Sequence, residues 1–108
     1  MMFNISSIYP NKNGSRFDFE YYLNVHMPRS IELLSKAKGF VKVSVEKGVD
    51  LQEHNITSNY VAMCHYYFET IEDFLNAFMA NAEELQGDIK NYTDIEPIIQ
   101  INEVKIYE

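Results

Sequence analysis

The sequence predicts an α+β domain in which a four-stranded antiparallel sheet carries two helices on one face. Three observations predict it. Residues 40–47 alternate strictly, with Val41, Val43 and Val45 on one side and Lys42, Ser44 and Glu46 on the other, the period of a half-buried strand. Residues 71–85 place Ile71, Phe74, Leu75, Phe78, Met79, Ala82 and Leu85 at spacings of three and four, the apolar stripe of an amphipathic helix. Turn-forming stretches separate the remaining apolar runs, so that the elements fall in the order strand, helix, strand, strand, helix, strand. That order is the split βαβ, or ferredoxin-like, arrangement. At 108 residues the chain has room for one core, so residues 1–108 are expected to form a single domain.

The first strand is expected over Met2–Tyr9, carrying Phe3, Ile5 and Ile8. Pro10 to Ser15, with Gly14, is turn chemistry and ends it. Asp18 then caps a helix, its carboxylate accepting a first-turn N–H. Phe17 before the cap and Tyr22 within the helix are placed for a hydrophobic staple. The helix is expected to run to about Lys38, with Gly39 as its C-terminal cap and Lys36 and Lys38 suiting its negative end. Pro28 interrupts it, because proline has no N–H for the carbonyl of Asn24 and its ring crowds that turn. A kink, or two helical pieces meeting near His26 and Met27, is the expectation.

Phe40–Lys47 is the second strand, residues 48–58 are a polar loop, and Asn59–Glu69 is the third strand. Both faces of that third strand are largely apolar, which predicts cover on both sides. Helices supply one cover, and a second subunit supplies the other, with two sheets facing each other. Thr70 caps the second helix, Gly87 ends it, and Asp88 to Asp94 form a polar connector. Pro97 precedes a last strand over Ile98–Tyr107.

Composition excludes several functions. Sixteen acidic against nine basic residues give a formal net charge of −7, the wrong sign for nucleic acid or an anionic membrane surface. No apolar run is long enough to cross a membrane and the N-terminus has no secretory pattern. The single Cys64 cannot make an internal disulfide, which suits a cytoplasmic protein. Hydrophobic residues make up 46% of the chain, enough for a packed core.

Among residues that carry chemistry, His26 leads. On a helical wheel it shares a face with Tyr22, Leu23, Ser30 and Leu33 and points toward the sheet. It is either a hydrogen-bonded core histidine or a general acid/base. Arg29 is placed to pair with Asp18, Glu32 or a ligand carboxylate, or to stand solvated on the surface. Asp88 and Tyr92 lie in the connector, where rigid elements position functional groups. Thr93 and Asp94 suit turn hydrogen bonds. His65 reads as a core or subunit-contact residue and His54 as exposed. The three histidines lack the spacing of a zinc site, and no metal is expected. Cys64 reads as buried and inert. No phosphate loop or dinucleotide fingerprint occurs.

These motifs resemble a known family. Phe17-Asp18, Tyr21-Tyr22, His26-Met27-Pro28, the run from Phe68 to Phe74, Asp88-Ile-Lys-Asn-Tyr92-Thr-Asp94 and the ending from Pro97 to Val104 are similar to the EthD family, named for ethyl tert-butyl ether degradation. The resemblance implies a dimeric α+β barrel with small-molecule pockets between each subunit's sheet and helices. Its wider superfamily includes cofactor-free monooxygenases, cyclases, dehydratases and haem proteins. Carried onto matching positions, it implies a site at His26 with Tyr22, Asp88 and Tyr92. Arg29 stands where many relatives carry an apolar residue.

The functional expectation is a cytoplasmic homodimer that binds a small organic or polyketide-like molecule and needs no cofactor. As an enzyme it would use His26 as general acid/base, oriented by Asp88, with Tyr22 or Tyr92 donating to a substrate oxygen and Arg29 at the substrate-binding edge. The alternatives are a non-catalytic auxiliary of a degradation pathway, a packed dimer with a structural His26, and haem ligation by His26 or His65.

Overall fold

The computed structural model describes residues 1–108. Strands β1 (Phe3–Pro10), β2 (Phe40–Lys47), β3 (Tyr60–Phe68) and β4 (Ile98–Glu103) form one antiparallel sheet in the order β2-β3-β1-β4. Helical stretches lie between β1 and β2 and between β3 and β4. The predicted α+β, ferredoxin-like arrangement is the observed one.

The first helical stretch has two α segments, α1 (Phe19–Tyr21) and α2 (Met27–Leu34), joined by a π-helical turn over Tyr22–His26. Asp18 caps it, accepting the Tyr21 N–H at 3.1 Å. The Phe17 and Tyr22 rings meet edge to face at 5.0 Å, as the staple predicts. The two pieces do meet at His26 and Met27. The break takes the form of a wider turn: the Met27 N–H donates to the carbonyl of Tyr22, five residues back. Pro28 then falls in the first turn of α2, where a missing N–H costs little. The wide turn also changes the inward face. Tyr22, His26, Met27, Ser30 and Leu34 are buried, whereas Leu23, expected inward on a uniform helix, is exposed.

α2 stops at Leu34 rather than near Lys38. Residues 35–38 carry no further apolar stripe and turn toward β2. Gly39 is needed for a different reason than capping. Its φ is +85°, its carbonyl accepts the Glu69 N–H at 2.8 Å, and a Cβ there would stand 2.8 Å from Asp73 Cβ.

Helix α3 (Ile71–Gly87) begins at Thr70, whose hydroxyl accepts the Asp73 N–H at 3.0 Å. Ile5, Tyr9, Ala62, Cys64, Tyr66 and Phe68 project from the sheet into the core beneath the helices. β4 ends at Glu103, short of the expected Tyr107. The tail beyond it folds back, so that Lys42 Nζ lies between the Tyr67 and Tyr107 rings at 4.8 and 4.7 Å.

The sheet face away from the helices is more polar than the third strand alone suggests. Ser44 pairs with His65, His65 with Ser6 and Ser6 with Gln100, one polar row crossing all four strands. Lys42, Tyr67, Asn4 and Asn102 form a second such row beside it. Within the first row, Ser6 Oγ lies 2.7 Å from His65 Nδ1, and His65 Nε2 lies 3.0 Å from Glu46 Oε1. In the next row Ile8, Met63 and Ile98 are apolar and Glu46, opposite Met63, is charged.

Gly39→Ala is expected to cost about 1–3 kcal/mol, from the left-handed backbone and the crowding at Asp73 together. Gly87→Ala, with open space around it and an ordinary φ, is the control and should be neutral or slightly stabilising. Urea denaturation of the two variants reads the difference. Equal stability of the two would remove the assigned role of Gly39.

Candidate functional site

The site begins with a junction between two distant segments. Residues 16–18 dock on residues 92–94: the Asp18 N–H donates to the Tyr92 carbonyl at 2.7 Å, Thr93 Oγ1 to the Arg16 carbonyl at 2.6 Å, and the Arg16 N–H to Asp94 Oδ1 at 2.9 Å. Thr93 also accepts the Ile95 N–H at 3.0 Å, so Thr93 and Asp94 serve local hydrogen bonding as expected. The junction sets the connector after α3 against the π turn.

His26 and Asp88 meet there. His26 is 8% exposed, and its Nδ1 lies 2.9 Å from Asp88 Oδ2. A carboxylate can only accept, so Nδ1 carries the hydrogen and Nε2 is left without one in the neutral imidazole. Nε2 makes no hydrogen bond in the protein and is not sealed from space around it. The His26 ring stacks on Tyr22 at 5.7 Å and lies 4.6 Å from the Tyr92 ring.

Asp88 is held from two further sides. Tyr21 Oη donates to its Oδ1 at 2.7 Å and Asn91 Nδ2 to the same oxygen at 2.8 Å. Its partial burial alone would raise its pKa. The hydrogen bonds from Tyr21, Asn91 and His26 outweigh that and hold the carboxyl below its usual range. Tyr21 and Asn91 are thus second-layer holders of the dyad that sequence reasoning passed over. The signal was present in part, since Asn91 lies in the Asp88–Asp94 motif and Tyr21 in the Tyr-Tyr pair.

His26 lines a cavity of about 450 Å³ between the sheet and the helices. Its 19 lining residues are mostly hydrophobic, 13 of them, and include Tyr22 and Tyr92 but neither Asp88 nor Arg29. Two hydroxyl pairs stand in its wall: Tyr9 Oη with Tyr92 Oη at 2.6 Å, and Ser30 Oγ with Tyr66 Oη at 2.6 Å. Burial pushes the Tyr9 phenol up to about 12 and those of Tyr22, Tyr66 and Tyr92 further, so all remain hydroxyls at neutral pH. The Cys64 thiol, also in the wall, is pushed up to about 12 by burial, which fits the inert reading.

Asp88 instead faces a separate, polar depression on the outside, lined by His26, Arg29, Glu84 and Asn91 among others. Arg29 sits there with its guanidinium engaged: Nε and Nη2 donate to Glu84 at 2.6 and 3.1 Å, and Nη1 to Glu32 at 2.6 Å. Of its expected partners, Glu32 is present and Asp18 is absent. Arg29 lies outside the cavity, and its fork is closed by carboxylates of the protein itself. His54 is exposed in the polar loop, and His65 lies on the opposite sheet face from His26. No group of three or more His, Cys, Asp or Glu side chains is placed to hold a metal ion, and no helix is long and apolar enough to cross a membrane.

A sheet with helices on one face and a cavity between them defines an α+β protein of the ferredoxin-like class. The EthD domain family matches residues 15–96, and the chain belongs to that family. An EthD-like protein from Ralstonia eutropha JMP134 is 36% identical over 99% of this chain and 95% of its own, with a TM-score of 0.89. An EthD family protein from Bacillus halodurans C-125 shares 20% identity over 96% of this chain and 99% of its own, TM-score 0.63. A hydroxynitrile lyase from Passiflora edulis has the same fold at 11% identity, over 99% of this chain and 96% of its own, TM-score 0.65. No curated protein matches the sequence.

Because the native Asp88 carboxyl is more acidic than an unfolded one near pH 4, it contributes stability above that pH and loses it as pH falls through its lower native value. Asp88→Asn should therefore flatten the acid limb of the stability profile. Tyr21→Phe should move the Asp88 titration up toward the ordinary carboxylate range, read by carbon-13 NMR of the carboxyl. An unmoved titration in Tyr21→Phe would show that Tyr21 does not hold Asp88.

Proposed function

We propose that the protein is a cofactor-free acid/base enzyme acting on a small organic molecule held between sheet and helices. One observation carries this reading: His26 joins the cavity to a fixed carboxylate, with Nδ1 committed to Asp88 and Nε2 uncommitted. In this reading Nε2 takes a proton from the bound molecule. Asp88 keeps the ring in that tautomer and stabilises the imidazolium that forms. Tyr22 and Tyr92 pack against the imidazole and form part of the wall, and Tyr92 shares a hydroxyl with Tyr9. The proton is passed back to another atom of the molecule, as in dehydration, cyclisation or enolisation. Arg29 contributes from the rim outside the cavity, by fixing Glu84 beside the dyad.

We also propose that residues 1–108 act as one EthD-like domain in a cytoplasmic homodimer, with sheet faces opposed. The apolar side chains of Ile8, Met63 and Ile98, side by side on that face, support the contact. The polar rows beside it give the interface a hydrated part. Sedimentation at micromolar concentration should show a dimer, and monomer alone would overturn this half of the proposal.

A second reading, a binding protein that converts nothing and serves a partner enzyme, uses the same cavity. Native mass spectrometry after incubation with a small-molecule library identifies a bound compound, and its conversion is then followed. His26→Ala should slow conversion by about 100- to 10,000-fold while the oligomer stays intact. Binding without conversion by the wild type establishes the second reading, and unchanged conversion by His26→Ala overturns the first.

A further inference from the structure

The hydroxyl pairs in the cavity wall leave a hydrogen-bond account that does not close within the protein. When two hydroxyls bond to each other, one donates and the other accepts, and the acceptor's own hydrogen still needs a partner. Tyr9 Oη and Tyr92 Oη bond only to each other, as do Ser30 Oγ and Tyr66 Oη. Each pair therefore has one O–H left over. All four residues line the cavity. Burial keeps the three phenols protonated, so these are durable donors. His26, whose Nε2 has no partner in the protein, lines the same cavity.

The charges in the wall point the same way. No Lys or Arg lines the cavity. Glu96 is the only carboxylate among the lining side chains, and His26 already has a carboxylate partner in Asp88. A carboxylate or phosphate would lie in an apolar wall with no cation of its own, at a large desolvation cost. Aromatic rings, among them Tyr22, Phe74 and Phe78, supply much of the remaining surface.

Resting on the proposed acid/base site, we propose that its substrate class is an uncharged, ring-containing carbonyl compound whose oxygens accept the spare hydroxyl hydrogens of the Tyr9–Tyr92 and Ser30–Tyr66 pairs. His26 Nε2 removes a proton from the carbon beside the carbonyl. The C–H electron pair becomes the new carbon–carbon double bond, and the carbonyl π pair moves to oxygen. A spare O–H hydrogen-bonds the oxyanion so formed. The imidazolium returns the proton at oxygen or at another carbon. The step is redox-neutral and needs no further reactant.

The pairs make a sharp test possible. Removing one hydroxyl leaves the other free to donate, whereas removing both eliminates the donor. The probes are 2-tetralone, tetralin and 2-naphthoate, which share a fused-ring shape and differ in oxygen and charge, titrated by NMR. Wild type should bind 2-tetralone about tenfold more tightly than tetralin, the effect of one good hydrogen bond, and should bind 2-naphthoate most weakly. Ser30→Ala and Tyr66→Phe should each keep the ketone preference. The preference should be lost in the double variant that empties the pair holding the ketone, Ser30→Ala with Tyr66→Phe or Tyr9→Phe with Tyr92→Phe, with tetralin affinity unchanged, which also shows that the variant is folded. Equal binding of ketone and hydrocarbon, tightest binding of the carboxylate, or a ketone preference that survives in both double variants would overturn the carbonyl assignment and leave the cavity as a ligand site. Binding of none of the three would overturn both the assignment and the proposed function beneath it.

Discussion

The docking of residues 16–18 on residues 92–94 is the constraint on which the site depends. Three hydrogen bonds, one between backbones and two through Thr93 and Asp94, join segments that are over seventy residues apart in sequence. The docking also sets the first helical stretch against the connector, because Asp18 both joins the Tyr92 carbonyl and caps the helix. His26 and Asp88 can meet only once these two segments have met.

The dyad stands at a boundary between two environments. On one side is a largely apolar cavity, and on the other a polar depression with Arg29, Glu84 and Asn91. Burial and hydrogen bonding act in opposite directions on the two kinds of acid found there. Burial prevails over the tyrosines and keeps them neutral. Hydrogen bonds prevail over burial at Asp88 and keep it charged. The result is a fixed negative charge outside and neutral donors inside, with the imidazole between them.

Much of this was legible in the sequence, for physical reasons. Phe40–Lys47 was bounded correctly because its alternation is strict and a glycine precedes and follows it. Asp18 and Thr70 were legible as caps because a short polar side chain before an apolar stripe has few other uses. His26, Asp88, Tyr22 and Tyr92 do come together, although their joint role rests on the proposed chemistry. What was not legible depends on packing. Tyr21 has no local signal for its bond to Asp88, which lies 67 positions away in the chain. Ser30 and Tyr66, 36 positions apart, have no local pattern that marks them as partners. The end of α2 and the end of β4 were overrun because Lys36, Lys38 and the residues after Glu103 are compatible with either state.

The π turn at Tyr22–His26 has a consequence for how this chain can vary in length. A π turn is a helix that carries one residue more than the α-helical path requires. Each α-helical residue rotates the chain by about 100°. Losing one residue between Asp18 and His26 would let the segment relax to an ordinary α-helix with the parts on either side close to their present orientation, whereas gaining one would add a rotation that the turn, already widened, has no slack to absorb. The stretch can therefore shorten by one residue and still bring the Asp18 cap and His26 to the connector, but it cannot lengthen. Residues 48–58, which are largely exposed and pair mainly with themselves, carry no such constraint.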